Sequence, residues 1–351
     1  MQLIPKILLL GLLCTGFSAQ LQATIFRINN QTGTPDGSNG IYEQPLAAHN
    51  DAFTGDTLLF DGSPDAYNSF MVTKRLVIMG PGYFQDENPN TNIFSAQIGR
   101  ITLSPDGSTS ATGAAGSIVQ GMDMGDAFPG EIIVNVNDVL IRKNRLNEVD
   151  INGSTNPAFR ATGVVISQNF FAGQNEDHFG WSSFDVLQGI VVRNNIFEGK
   201  VEVPDFSQMH FFNNIFLNQQ FDIQNLLGTV RNNVFFSTNA TYNLSADSIT
   251  HNISMGSGLP AGNSNILNAN PGQIFVLNAG VNGSDGQYRL KANSIAQGAG
   301  FNGADIGPYG GVSPYVRYGY GEMPVIWQMS TAGVIDPGDL LQVSIKAVSE
   351  N

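Results

Sequence analysis

A six-residue motif recurs with little variation, and it constrains the fold more than any other feature of the chain. It reads Ile141-Arg-Lys-Asn144-Arg-Leu146, Ile166-Ser-Gln-Asn169-Phe-Phe171, Val192-Arg-Asn-Asn195-Ile-Phe197, Phe211-Phe-Asn-Asn214-Ile-Phe216, Val230-Arg-Asn-Asn233-Val-Phe235 and Ile249-Thr-His-Asn252-Ile-Ser254. The steps between the aligned asparagines are 25, 26, 19, 19 and 19 residues. Such a period is too short for stacked helix pairs and suits one coil of a parallel β-helix, three short strands joined by three turns. Successive coils lie about 4.8 Å apart, so equivalent side chains stack into ladders. The hydrophobic residue before each Asn and the aromatic two places after it point inward. The Asn itself falls at a bend, where an amide that both donates and accepts can serve its neighbours and the turn backbone. Asn144, Asn169, Asn195, Asn214, Asn233 and Asn252 are therefore read as scaffold rather than as ligands. Extra residues in such a repeat go into loops on one face, which places the longer steps near residues 152–159 and 174–185.

Composition agrees with a fold rich in turns. Charged residues are 13% of the 351-residue chain, glycines number 40, and asparagines outnumber the 29 acidic residues. Nucleic-acid binding needs basic residues to neutralise phosphates, and a net charge of −13 with 16 scattered Lys and Arg argues against it. The first 23 residues read as a secretory signal: Lys6, an apolar run from Ile7 to Leu13, then small residues up to Ala23. The single cysteine, Cys14, lies inside that signal, with Leu13 before it rather than the small residue a lipoprotein signal wants. The expected mature chain thus has no disulfide, no thiolate metal site and no membrane span. Secretion, to the periplasm or the outer cell surface, and a monomeric state follow as expectations.

The predicted organisation is a signal over 1–23, an N-terminal cap over 24–60, coils over 61–311, and a C-terminal cap or strand pair over 312–351. Thr24–Asn29, Gly55–Phe60 and Arg75–Met79 read as strands and Leu46–Phe53 as a helix. Pro324–Trp327 and Leu340–Ala347 read as a strand pair around the turn Asp336-Pro-Gly-Asp339.

Several of these elements resemble a known family. Gly55-Asp-Thr57 entering a strand, the Leu76–Tyr83 strand and turn, the Asn-x-Phe coils and the closing Asp305-Ile-Gly-Pro-Tyr-Gly-Gly311 resemble secreted bacterial proteins of the pectate-lyase-like superfamily. The Asp305-Ile-Gly element is similar to the ending of the choice-of-anchor Q group. The resemblance implies an all-β, right-handed parallel β-helix and secretion. It does not imply one activity, because the superfamily holds lyases, hydrolases, adhesins and surface proteins. No sorting domain or anchoring helix is evident near the C-terminus.

Candidate site residues fall into two groups. The loop Gln174-Asn-Glu-Asp-His-Phe-Gly-Trp181 offers Asp177 and His178 with Trp181 as a stacking platform. A column of outward residues just before the ladder asparagines offers Arg142, Arg193 and Arg231, whose guanidinium groups match carboxylate or sulfate. The competing reading is a solvated loop whose Trp and Phe pack on the helix wall, and solvated Arg heads over a flat sheet. No tight pair of carboxylates stands at a coil position. The reading adopted is a protein that binds a polysaccharide or cell-surface glycan without catalysis. One alternative is a polysaccharide lyase, with Arg193 or Lys200 as base, the 174–185 loop as lip, and Glu202, Asp205 and His210 nearby. A purely structural adhesin is the other. No cofactor is expected. Asp123, Asp126 and Glu131 could touch Ca²⁺ but lack the ordered spacing of a calcium loop, and the four histidines are not spaced as zinc ligands.

Overall fold

A computed structural model describes residues 23–320, except 32, 34–35, 89–93, 108, 155, 175–176, 181–185, 219–220, 223–224 and 237–247, together with 325–331 and 343–348. The signal segment up to residue 22, Glu176 and Trp181 lie outside the described residues.

The chain is an all-β parallel β-helix. Among the described residues, its longest sheet has eleven parallel strands that climb the molecule one coil at a time, among them Val77–Met79, Ile118–Gln120, Leu140–Arg142, Val165–Ser167, Gln188–Arg193, Gln208–Phe212, Thr229–Arg231 and Ile249–Thr250. A six-stranded sheet of two-residue strands follows each bend, from Arg145–Leu146 to Ile253–Ser254. A third sheet of five strands includes Phe70–Val72, Arg100–Leu103, Glu131–Val134 and Glu148–Ile151. Pairing is parallel throughout these sheets because each strand meets its equivalent one coil on. Side chains alternate in and out along each strand: Ile141, Ile166, Val192, Phe211, Val230 and Ile249 are all buried in one core column. Phe171, Phe197, Phe216 and Phe235 stack as a second, with ring centroids 4.4, 5.1 and 5.0 Å apart and planes within 20°. That spacing is close to the strand repeat, so ring stacking and backbone pairing reinforce each other.

The asparagine ladder occupies the bend between the long and six-stranded sheets. Each Nδ2 donates to the Oδ1 of the next rung, at 3.1 Å for Asn144 to Asn169 and 3.0 Å for Asn195 to Asn214. From Asn169 on, each Oδ1 also accepts the backbone N–H of the preceding ladder residue, as Asn214 does from Asn195 at 3.0 Å. The second Nδ2 hydrogen reaches a carbonyl on the coil before, such as Val192 for Asn214 at 2.9 Å. The column continues one rung further, to Asn265, at 3.2 Å from Asn252. The amides from Asn144 to Asn252 are fully buried and hydrogen-bonded through both Nδ2 and Oδ1, the condition for a buried polar column to stabilise rather than cost.

The bend has a second requirement. The residue before each ladder Asn has positive φ: Lys143 55°, Gln168 59°, Asn194 55°, Asn213 55°, Asn232 60° and His251 56°. Asparagine tolerates this left-handed conformation better than most residues, which accounts for the doubled Asn in three coils.

Two parts differ from the sequence expectation. Residues 25–28 and 57–60 are full rungs of the long sheet, so the N-terminal cover reduces to the edge strand Ile41–Tyr42 and the helix Pro45–Asp51. The coils do not continue to 311. Among the described residues, the last parallel bridge joins Ile253 to Ile266, and beyond it the chain turns back and runs lengthwise down the outside as a strap. The reason lies in the left-handed column. Asn232 Oδ1 accepts the Phe301 N–H at 2.9 Å. Asn213 Nδ2 donates to the Asp305 carbonyl at 2.9 Å, and Asn194 Nδ2 to those of Pro308 and Gly310 at 2.9 and 2.8 Å. Gln168 reaches the Pro314 carbonyl, and Tyr83 N–H donates to the Tyr318 carbonyl at 2.8 Å. Gly319, at φ 62°, is pressed against this end: a Cβ there would lie 2.2 Å from the Tyr83 ring and 2.5 Å from the Lys143 carbonyl. Asp285, fully buried, accepts the Tyr318 N–H at 2.8 Å and lies 3.7 Å from the Arg317 guanidinium. Strands Val325–Thr331 and Val343–Val348 form an antiparallel pair. Among the described residues, no helix is long and apolar enough to cross a membrane.

Candidate ligand-binding cleft

The strap turns a flat sheet face into a concave one. Where it crosses the coils of Arg193, Phe212 and Arg231 it encloses a cleft of about 640 Å³, walled on the other side by Phe301, Asp305 and Val312. Parallel pairing sets Arg193 opposite Phe212 and Phe212 opposite Arg231, so the three side chains stand on successive rungs of one column. The Arg231 guanidinium lies 5.0 Å from the centre of the Phe212 ring and 4.2 Å from that of Phe301. Two aromatic faces fix it in place. Among the described residues neither Arg193 nor Arg231 has a carboxylate within 4.0 Å, and the buried Nε of each has no hydrogen-bond partner. Desolvated donors without acceptors are the feature of this cleft that calls for an anionic guest.

The rest of the predicted stripe is not available in the same way. Arg142 donates from Nε to Gln120 Oε1 at 2.8 Å, and Ser167, between Arg142 and Arg193, is buried. The usable part of the column is therefore shorter than the sequence suggested.

The lyase constellation is not assembled. Arg193 and His210 project from the long sheet, where His210 stacks beside Phe212 with centroids 5.8 Å apart. Lys200 is bridged to Asp177 on a different wall, its Nζ 3.7 Å from Asp177 Oδ1, and Glu202 sits on the short strand Val201–Glu202 beyond it. Asp205 is exposed. His178 corrects the expectation outright. It is completely buried, packed against the edges of Phe171 and Phe197, with Nδ1 2.7 Å from the Asn147 carbonyl and Nε2 accepting the Gly199 N–H at 2.6 Å. Burial holds its pKa down, to about 4, so this is a neutral core histidine and no ligand reaches it.

The calcium candidates are also occupied. Arg145 binds Asp126 through both terminal nitrogens, at 2.5 and 2.7 Å, and Asp123 at 3.3 Å, while its guanidinium covers Phe84 at 4.9 Å. Burial raises the Asp123 pKa, whereas the hydrogen bond from Arg145 lowers that of Asp126. These side chains line a separate cavity of about 760 Å³, together with the carboxylates of Asp86 and Glu87. Glu131 is paired with Arg100. Among the described residues, no group of three or more His, Cys, Asp or Glu could hold a metal ion.

Sequence reasoning missed Phe301 and the strap wall. A signal for them existed: the doubled asparagines at 194, 213 and 232 imply side chains with a task outside the ladder.

No family model matches the chain, and no curated protein matches it either. Among solved structures, a crystal structure of pectate lyase Pel9A is similar over 82% of this chain and 96% of that one, at 14% identity and a TM-score of 0.40. The class assigned here, a parallel β-helix, rests on the strand pairing described above.

Proposed function

We propose that this is a secreted or cell-surface β-helix protein that binds an anionic glycan in the cleft between its long sheet and its strap, as a monomer and without cleaving the glycan. The observation that carries the reading is the pair of guanidinium groups, Arg193 and Arg231, held in an aromatic-walled cleft without carboxylate partners among the described residues. An extended polymer suits a column that runs along the coil axis. The signal-like first 23 residues support export, and the family-like Asp305-Ile-Gly ending supports a surface location.

Calorimetry with a panel of uronate and sulfated oligosaccharides tests this. Binding is expected to weaken as salt rises and to fall at least tenfold in Arg231→Ala, since charge-assisted hydrogen bonds contribute about 1.5–3 kcal/mol. Binding that ignores both arginines would refute the cleft. Growth of ultraviolet absorbance from an unsaturated product would refute the absence of catalysis.

A further inference from the structure

The cleft has a pattern of charge as well as a sign. Arg193, Phe212 and Arg231 are consecutive rungs, so the two basic positions are separated by about 9.6 Å with an apolar position midway. The middle rung is also where the strap delivers an acid. The Asp305 carbonyl is bonded by Asn213, the residue after Phe212, and Asp305 lines the cleft. Asp305 Oδ1 accepts the Gly298 N–H at 2.8 Å. Along the column the pattern is positive, apolar with an acid beside it, positive. The flanking rungs carry Ser167 and Thr250, so the pattern is not extended by further cations.

We infer that the cleft selects an anionic polysaccharide in which charged and uncharged sugars alternate, over one that carries a carboxylate on every sugar. The inference rests on the reading of the cleft as a glycan site. In an extended chain, two linked sugar rings span about the separation of the two arginine rungs, so alternate carboxylates meet alternate rungs. The sugar between them then faces Phe212 and Asp305. An uncharged sugar offers C–H groups to the ring and hydroxyl donors to the carboxylate. A uronate in that place is desolvated against Phe212 without a donor and stands beside a like charge, which is discrimination by repulsion.

The experiment compares three hexasaccharides of equal length by calorimetry. One is an oligogalacturonate, charged on every sugar. One is a hyaluronan fragment, in which glucuronate alternates with N-acetylglucosamine. The third is uncharged cellohexaose. The hyaluronan fragment is expected to bind at least tenfold more tightly than the oligogalacturonate, despite half the charge. Equal or reversed affinities that still depend on Arg193 and Arg231 overturn the spacing inference and leave the glycan site standing. Failure of both anions to bind, or binding indifferent to Arg193→Ala and Arg231→Ala, overturns the site itself. Phe212→Lys fills the middle rung with a cation and is expected to raise oligogalacturonate affinity at least tenfold. Asp305→Asn, on the strap, should raise it in the same direction without touching the sheet, which covers the case that the lysine variant does not fold. An unchanged preference in the variants that fold overturns the inference.

Discussion

Lowering the pH from 7 to 4 should destabilise this protein through His178, and the amount can be worked from its surroundings. Its Nδ1 faces the Asn147 carbonyl, which only accepts, so Nδ1 carries the proton. Its Nε2 receives the Gly199 N–H, so a second proton has no place without breaking that bond. With the ring buried against Phe171 and Phe197, the folded pKa drops from 6.5 to about 4. A depressed folded pKa contributes stability that is complete above the unfolded value and is lost as pH falls through the folded one. The window is therefore about pH 6.5 to 4, and the loss about 3 kcal/mol at 1.36 kcal/mol per unit. Other groups titrate nearby. Burial raises the pKa of Asp123, Glu198 and Asp285, and each contributes in the opposite sense, its stabilisation present at low pH and lost as pH rises. The difference between the wild type and His178→Gln cancels them. Urea unfolding at several pH values should give two curves that converge by about 3 kcal/mol between pH 7 and 4, whatever fixed offset the substitution brings. Nitrogen-15 spectra should show a neutral ring protonated at Nδ1 at pH 5. Parallel stability curves, or a ring that titrates near pH 6.5, would refute the argument.

Asn214→Ala should destabilise the whole molecule by about 2–5 kcal/mol in denaturant unfolding, because the Asn195 N–H and one Nδ2 hydrogen lose their acceptor in the interior. Gly319→Ala should free the end of the strap, since its Cβ meets the Tyr83 ring and the Lys143 carbonyl. Hydrogen exchange over 314–320 is then expected to accelerate while the strands of the long sheet keep their protection; uniform protection in the variant would show that the end is not held there.

The repeat made the coils legible because three physical demands coincide in it. A buried residue, a bend amide and an aromatic must recur at fixed positions for the ladders to form, and a 19-residue step from Asn195 to Asn252 records that. Before Asn144 the motif fades although the stacking continues. Val77 pairs with Ile118, 41 residues on, and Met122 offers its backbone N–H to Asn144 in place of another ladder amide. Strand pairing there is sustained by β-branched and other apolar side chains without a column of identical residues, so no periodic signal survives. The burial of His178 is hidden in the sequence for a related reason. It lies in an insertion next to acids, which looks exposed in sequence, but Phe179 and the bridge between Asp177 and Lys200 draw that part of the loop into the third sheet.

The cleft was half legible, and the missing half explains why a long repeat by itself says little about binding. Periodicity identifies what equivalent residues share, and Arg193, Phe212 and Arg231 could be placed on one column from the motif alone. A column on a flat sheet is open to water, where a guanidinium is well solvated and binds weakly. What changes its chemistry is desolvation by the strap, which joins residues 232 and 301, or 194 and 308, and so obeys no repeat. The bend permits this coupling because it needs a left-handed residue in every coil, and asparagine meets that need while keeping an amide free to point outward. One asparagine of each pair is consumed by the fold and the other holds the wall of the cleft. A change at Asn194, Asn213 or Asn232 should therefore weaken glycan binding more than it weakens the β-helix, whereas a change at Asn195, Asn214 or Asn233 should do the reverse; binding and unfolding measured on Asn213→Ala and Asn214→Ala, side by side, separate the two roles.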